Sequence, residues 1–248
     1  MRGWGGGGGW ERFVTPRAFE VKDLGVLPYA EAYQIQRRFL DEVIQARERG
    51  PNGSVGVVLL LEHEPIITIS RRARDGNHLL ADEATLARQG VGVVETDRGG
   101  DITYHGPGQL VAYPILDLNR LGLGLHGYMR ALESAVIATC GRFGIHARPE
   151  PGATGVWVDP SAGGTAAKIC AMGVRVRRWV TMHGLALNVT TNLEHFRLIV
   201  PCGLVGREPT SMERLLGDAC PPMDRVKSAL VQDLAAHLTA KTAEAESA

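Results

Sequence analysis

Residues 98–109, with the sequence RGGDITYHGPGQ, constrain the fold more than any other part of the chain. Four glycines and one proline exclude a regular helix here, because glycine admits backbone conformations closed to other residues and proline fixes its own φ angle. Apolar, strand-like runs lie on both sides, at 91–94 and 110–116. A polar, glycine-rich loop held between buried strands is a common setting for a site. The alternative is a tight turn between two strands, but Arg, Thr, Tyr, His and Gln packed this closely favour a site.

The composition narrows the class of protein. The chain has 248 residues, of which 44% are hydrophobic and 22% charged, as is typical of a soluble globular protein. Lys+Arg and Asp+Glu are both 27, whereas a nucleic-acid-binding protein normally carries a basic excess. No apolar run approaches the ~20 residues that cross a bilayer. We therefore expect neither a nucleic-acid partner nor a membrane partner.

The four cysteines, Cys140, Cys170, Cys202 and Cys220, are widely spread and have no zinc-ligand spacing, so we expect no metal site. Residues 1–12 are glycine-rich and lack the apolar core of a secretion signal. This predicts a disordered extension and a cytoplasmic protein with reduced thiols.

Hydrophobic periodicity predicts alternating helices and strands in a single domain at 13–240, followed by a flexible tail at 241–248. We expect a mixed β-sheet packed with helices, an α/β fold. The chain patterns predict two paired strands around a short link at 62–65, a hairpin, and a short helix capped by Thr210 and Glu213. The predicted segments are helices at 29–49, 81–89, 126–143, 210–216 and 223–238, and strands at 55–61, 66–69, 91–94, 110–116, 155–158, 168–176 and 180–189.

Two residues indicate nucleophilic chemistry. Cys202 lies between Pro201 and Gly203 in a predicted turn, where a thiol can be exposed. Lys168 lies among small and apolar residues of a predicted strand, where an amine either reaches the surface or points into a cleft. A lysine beside a cysteine stabilises the thiolate, and the two groups then titrate as a coupled pair. Taken alone, each residue also fits an ordinary turn cysteine or a surface lysine.

Together these motifs resemble the lipoyl(octanoyl) transferases of lipoate biosynthesis, the LipB family. Residues 98–109 match the family signature R-G-G-x-x-T-Y-H-x-P-G-Q at every fixed position. The resemblance covers about residues 59–213. The supporting blocks are LLEH at 60–63, YPILDL at 113–118, GVWV at 155–158, HGLALNV at 183–189 and PCGL at 201–204.

The resemblance implies a fold like the catalytic domains of biotin and lipoate protein ligases. It implies octanoyl transfer from octanoyl-acyl carrier protein, through a thioester on Cys202, to a lysine of lipoyl domains. Those acceptors are the E2 subunits of 2-oxoacid dehydrogenases and the glycine-cleavage H protein. Lys168 is implied as the proton-shuttling partner of Cys202. The implied reaction needs no cofactor. We expect the protein to be a monomer. The implied substrate-binding residues are Arg98, Gly99, Gly100, Asp101, Ile102, Thr103, Tyr104, His105, Ala171, Met172, Gly173, Gly184, Leu185 and Ala186.

The chain departs from the family at Cys170, where alanine is usual, so a second thiol is a candidate for the site beside the simpler interpretation of core packing. Basic clusters at 71–74 and 175–178 are either solvated faces or a docking face for acidic carrier proteins. Three alternative functions stay open: an ATP-dependent lipoate or biotin ligase, a non-catalytic acyl-binding module and a thioester hydrolase.

Overall fold

A computed structural model describes residues 19–48, 50, 54–71, 78–159, 165–200 and 207–245, with side chains described as far as 238. The described residues form two sheets. A seven-stranded sheet has the order β1-β2-β6-β10-β9-β8-β7, and a three-stranded sheet has the order β4-β3-β5. The strands are β1 (Glu20–Leu27), β2 (Gly56–His63), β3 (Ile66–Ser70), β4 (Gly92–Thr96), β5 (Ile102–His105), β6 (Gln109–Leu116), β7 (Ala147–Glu150), β8 (Ala153–Val158), β9 (Ala167–Arg177) and β10 (Val180–Asn188).

The large sheet is covered by helices on both faces. Its pairing is parallel only between β1 and β2 and antiparallel elsewhere. The central strands β2 and β6 are buried almost throughout, which explains their continuous apolar sequences. The helices are α1 (Tyr29–Glu48), α2 (Glu83–Gln89), α3 (Leu125–Arg142), α4 (Met212–Leu216) and α5 (Met223–Ala245). Helices α3 and α5 share one core cluster with the sheet, and α1 shares another on the opposite face.

The turn after β5 connects the small sheet to the large one. The carbonyl of Gly108 accepts hydrogen bonds from the N–H groups of Val189 (3.1 Å) and Thr190 (2.9 Å). Gly108 has φ 80°, and a Cβ there would lie 2.6 Å from the backbone of Thr190. A side chain is therefore excluded on both conformational and steric grounds, and the turn fixes how the signature segment enters β6.

The structure confirms the mixed α/β fold and the hairpin of β9 and β10. Two local predictions about strands are wrong. Strands β2 and β3 do not pair, because β3 pairs with β4 and β5 in the small sheet. Residues 102–105 form a strand and not a loop. Glycine and proline are confined to the ends of the signature, so its centre, Ile102–His105, is free to extend and pair with β3.

The ends of two helices also differ from expectation. Helix α4 is capped by Ser211, whose hydroxyl accepts from the N–H of Arg214 (3.1 Å), and not by Thr210. The Thr210 backbone is instead paired with Lys168. Helix α5 continues to Ala245, past the predicted end at 238. Among the described residues, we find no helix with the length and apolar character needed to cross a membrane.

Candidate functional site

A cavity of about 890 Å³ lies between the signature segment, strands β9 and β10, and the first half of α3. It gathers residues far apart in sequence. Of the predicted site residues, those with atoms in the cavity wall are Arg98, Gly99, Gly100, Thr103, His105, Lys168, Ala171, Met172, Gly173, Gly184, Leu185 and Ala186.

Strand pairing brings two of the predicted segments together. In the antiparallel register of β9 and β10, Ala171 lies opposite Ala186, Met172 opposite Leu185, and Gly173 opposite Gly184. These six residues therefore form one continuous patch of the wall. The sequence predicts the two triplets separately, and the hairpin register joins them.

Glycines let the signature segment lie directly on β9. The Gly99 N–H donates to the carbonyl of Val174 at 3.0 Å. A Cβ on Gly173 would lie 2.5 Å from the carbonyl oxygen of Gly99, closer than real Cβ atoms approach. The two backbones touch because neither residue has a side chain at this crossing.

Three predicted residues lie outside the cavity wall. Ile102 and Tyr104 pack into a third core cluster, on the opposite side of β5 from Thr103 and His105. This follows from the two-residue alternation of a strand. The Tyr104 hydroxyl bonds to Nδ1 of His195 at 2.7 Å, and Asp101 forms an ion pair with His78.

One end of the cavity is a hydrogen-bonded polar network centred on Asp97. Its carboxylate accepts from the Tyr33 hydroxyl at 2.8 Å, contacts His183 Nε2 at 2.9 Å, and pairs with Arg175. The hydrogen bond with His183 is the main cause that holds the pKa of Asp97 below its usual range, with further help from Tyr33 and Arg175. His183 has φ 56°, a rare backbone conformation for a residue other than glycine.

The same end contains two more buried histidines. His63 Nε2 bonds to the Tyr113 hydroxyl at 2.7 Å, and burial lowers the pKa of His63 to about 4. His105 Nδ1 bonds to Gln109 Oε1 at 2.7 Å, and burial lowers its pKa as well. Gln109 also donates to Asn188 Oδ1 at 2.9 Å. Buried, neutral imidazoles make this end polar without giving it a positive charge.

Sequence reasoning missed more than half of the lining residues, among them four at the polar end: Tyr29, Asp97, Tyr113 and His183. Three of them leave a sequence signal. Asp97 directly precedes the signature, and Tyr113 and His183 begin two of the supporting blocks. Tyr29 is the first residue of α1, and we find no local signal for its role.

Lys168 lies at the other end of the cavity. Its Nζ is 4.6 Å from the ring centroid of Trp157, which lies opposite it on β8. The backbone of Lys168 accepts from Thr210 N–H and donates to the Glu208 carbonyl, both at 2.9 Å. Glu133 of α3 also lines the cavity, and its carboxylate accepts from the Gly155 N–H at 3.2 Å.

The structure describes the surroundings of one of the two candidate thiols, that of Cys170. Cys170 is fully buried in the main core cluster and is not among the described residues that line the cavity. Burial raises the pKa of its thiol, and Cys140 adds to that rise. The simpler interpretation, core packing, therefore fits Cys170. Cys202 lies outside the described residues.

The basic clusters are partly neutralised. Arg175 pairs with Asp97, and Arg177 pairs with Asp41 at 3.5 Å. Arg71 lines the cavity, whereas Arg72 and Arg74 lie outside the described residues. No group of three or more His, Cys, Asp or Glu side chains within the described ranges is placed to hold a metal ion.

Comparison with known proteins assigns this chain and its fold to a class of proteins. The family model "Lipoyl protein ligase A/B catalytic domain" matches residues 28–235. The solved lipoate protein ligase of Thermoplasma acidophilum has the same fold, with TM-score 0.66 and 17% identity over 90% of this chain and 84% of that chain. A lipoate-protein ligase A bound with ATP has TM-score 0.62 and 15% identity, over 89% and 85% of the two chains.

Relatives with higher sequence identity show which family within this class the chain belongs to. The octanoyltransferase of Chloroflexus aggregans is 47% identical over 89% of this chain and 95% of its own length. The octanoyltransferase of Bacteroides thetaiotaomicron is 44% identical over 88% and 95% of the two lengths. The chain belongs to the octanoyltransferase family and is an acyltransferase.

Proposed function

We propose that this enzyme transfers an octanoyl group from octanoyl-acyl carrier protein to the lysine of a lipoyl domain, through a thioester on Cys202. Family membership supports octanoyl transfer in protein lipoylation. One observation carries the cysteine route: β9 presents Lys168 at the cavity wall and pairs, through the Lys168 backbone, with residues 208 and 210. Cys202 lies only six residues before Glu208 in the sequence.

The end of the cavity near Lys168 has the apolar lining that an acyl chain requires. Partly buried apolar side chains from α3 and β9 line it, among them Met129, Met172 and Val174, together with Leu185 of β10. Burial stabilises an acyl chain by ~0.8 kcal/mol per methylene. A chain of octanoyl length would therefore gain several kcal/mol, enough to select length coarsely. We propose that this apolar wall holds the chain.

The proposed reaction has two acyl transfers. In the first, the Cys202 thiolate attacks the carbonyl carbon of the carrier's thioester, a new C–S bond forms, and the carrier thiolate leaves with a proton from the Lys168 ammonium. In the second, the acceptor amine attacks the acyl-cysteine, the Cys202 thiolate leaves, and Lys168 takes the amine proton. Thioester exchange is nearly balanced and amide formation is downhill, so no ATP is consumed.

The test is intact-mass analysis after mixing the enzyme with octanoyl-acyl carrier protein. We expect a mass increase of one octanoyl group, which then moves to an added apo lipoyl domain. Cys202→Ser should abolish the adduct. Cys170→Ser is the matched control, because Cys170 lies in the core, and it should leave the adduct in place.

Other outcomes would overturn the proposal. Loss of the adduct with Cys170→Ser, and its retention with Cys202→Ser, would move the nucleophile to β9. Activity with free octanoate and ATP, and none with the carrier thioester, would favour a ligase. Binding of the acyl carrier without any acyl-enzyme or product would favour an acyl-binding module.

A further inference from the structure

We propose that Trp157 is a positioning residue that holds the Lys168 amine and the chain following Cys202 on one buried indole ring. This inference rests on the proposed function, since it assigns a role to a side chain beside the proposed proton shuttle. Trp157 is fully buried, and its Nε1–H donates to the Ala153 carbonyl at 3.0 Å, which fixes the ring.

Two cations approach the same ring. Lys168 Nζ lies 4.6 Å from its centroid, and the Arg207 guanidinium carbon lies 5.1 Å from it. Arg207 is the first described residue after the segment that contains Cys202. A cation over the face of an indole is attracted by the ring quadrupole, most strongly where water is excluded. Trp157 therefore contacts both the amine and Arg207, which follows Cys202 by five residues in the sequence.

Arg207 is anchored from the other side as well. Its guanidinium lies 3.0 Å from Glu150 Oε1 as an ion pair. Glu150 ends β7, and Trp157 lies on the neighbouring β8. Arg207 is thus tied to two adjacent strands.

An irregularity in strand pairing places Lys168 opposite this ring. On β8 and β9, Val156 pairs with Cys170 but Trp157 pairs with Lys168, so Ile169 is an extra residue on β9. Without this bulge, the regular register would put Ile169 opposite Trp157. Bulges redirect side chains in this way. Gly155 permits the local approach, since a Cβ there would lie 2.5 Å from the Cys170 carbonyl oxygen.

Lys168 has charged and titratable neighbours on several elements, and any pH profile includes their influence. Those that share a cavity wall with it are His126, Arg130 and Glu133 of α3, Asp97 and Arg98 before β5, His105 of β5, Tyr113 of β6, Arg175 of β9, His183 of β10, Tyr29 of α1, Arg71 after β3, and Arg207 and Glu208 of the returning chain. Among these neighbours, the Trp157 ring lies directly below Lys168 Nζ, 4.6 Å away at its centroid.

Fluorinated tryptophan tests the contact without changing the shape of the side chain. The chain has four tryptophans; replacing Trp4, Trp10 and Trp179 by Phe leaves Trp157 as the single site for 5-fluoro- and difluoro-tryptophan. Fluorine weakens the negative face of the ring, so it destabilises the ammonium form of Lys168. We expect the alkaline limb of the pH profile of acyl-enzyme formation to move to lower pH with each fluorine, by about one pH unit in total.

Two further variants separate positioning from folding. Trp157→Phe should move the same limb in the same direction and lower the rate of acyl-enzyme formation about tenfold, with KM for the carrier nearly unchanged. Trp179→Phe is the matched control, because Trp179 lies exposed in the hairpin turn, and it should leave the profile unchanged.

An alkaline limb that stays in place as fluorines are added, while the acyl-enzyme still forms, would overturn the inference and leave the proposed function intact. A lower Tm for Trp157→Phe with the parental pH profile would likewise overturn the inference, because it would show that Trp157 contributes to core packing and does not position Lys168. Failure of the unsubstituted enzyme to form any acyl-enzyme would instead overturn the proposed function, and this inference with it.

Discussion

The two ends of the cavity differ in the surroundings of their polar side chains. At the polar end, around Asp97, each carboxylate oxygen and imidazole contacts another protein group. At the amine end, Lys168 lies against an indole ring and near apolar side chains of β9 and α3. A network with many mutual contacts holds one geometry, whereas a lysine amine on a flexible stem is a group that takes up and releases protons. We expect changes at the polar end to alter stability and binding, and changes at the amine end to alter the chemical step.

The polar end carries backbone strain that its contacts offset. A left-handed conformation costs roughly 1–2 kcal/mol for a residue other than glycine, and His183 adopts one. Its N–H donates to Gln36 Oε1 at 2.8 Å, and its ring contacts Asp97. Gln36 of α1 holds the His183 backbone and Asp97 holds its ring, which lies beside Tyr113 and Tyr33.

The largest effect should come from Lys168→Met. Removing a proton-transfer group typically costs 10²–10⁴-fold in rate, so we expect octanoyl transfer to fall roughly 10³-fold with little change in Tm. Lys168→Arg should keep part of acyl-enzyme formation, because the charge remains, but it should fail in transfer to the acceptor, because arginine does not deprotonate. Single-turnover assays of the two half-reactions measure this.

Lys22→Met is the control for that prediction. Lys22 also lies over an aromatic ring, that of Phe39 at 5.7 Å, but on β1. It should retain the parental rate. If Lys168→Met kept more than a tenth of the activity, the assignment of chemistry to the amine end would be wrong.

The second largest effect should be a loss of folding stability in acid, caused by His63. Its folded pKa of about 4 lies below the ordinary value of 6.5, so the unfolded chain binds more protons between these values. Its contribution to stability is therefore complete above pH 6.5 and is lost as the pH falls toward 4. The loss reaches about 3 kcal/mol, at 1.36 kcal/mol per pKa unit.

His63→Gln should flatten the pH dependence of the free energy of unfolding by about one proton between pH 6.5 and 4. Denaturant unfolding at pH 7, 5.5 and 4.5 measures it. His146→Gln, at an exposed site, should keep the parental slope. Equal slopes for His63→Gln and the parent would mean that this end is hydrated and does not hold a neutral imidazole.

A substitution at the crossing of the signature and β9 should affect both ends. Gly173→Ala places a methyl group against the Gly99 carbonyl, so the segment must shift. Overpacking of this kind costs about 1–3 kcal/mol. We expect a lower Tm and a KM for the carrier thioester raised about tenfold.

Gly141→Ala is the control, and we expect it to raise the stability of the protein. Gly141 lies in α3 with open space around its Cα, and alanine there should stabilise the protein by about 0.5–1 kcal/mol. An unchanged KM for Gly173→Ala would show that the close backbone contact does not shape the binding site.

The smallest effect should follow Tyr33→Phe, which removes one hydrogen bond to Asp97 and leaves those from His183 and Arg175 in place. The expected loss is about 1 kcal/mol of stability, with the rate of the chemical step unchanged. Thermal unfolding and kcat measure the two quantities. A tenfold fall in kcat would show that the polar end takes part in the chemistry.

The mixed α/β fold, the hairpin and twelve residues of the cavity wall could be predicted from the sequence alone. These features depend on local patterns: apolar runs mark buried strands, and glycines in the signature mark a close backbone contact, as Gly99 shows. The order of the sequence blocks determined the family, because that order is a property of the chain alone.

The side of β5 that each signature residue faces, and the ring that Lys168 contacts, depend on the folded structure. Tyr104 packs into the third core cluster, whereas its neighbour Thr103 lines the cavity, because the sheet that β5 joins sets which side of the strand faces the cavity. The contact between Lys168 and Trp157 depends on one extra residue in β9. Register and bulges follow from long-range pairing, so a pattern read along one segment does not contain them.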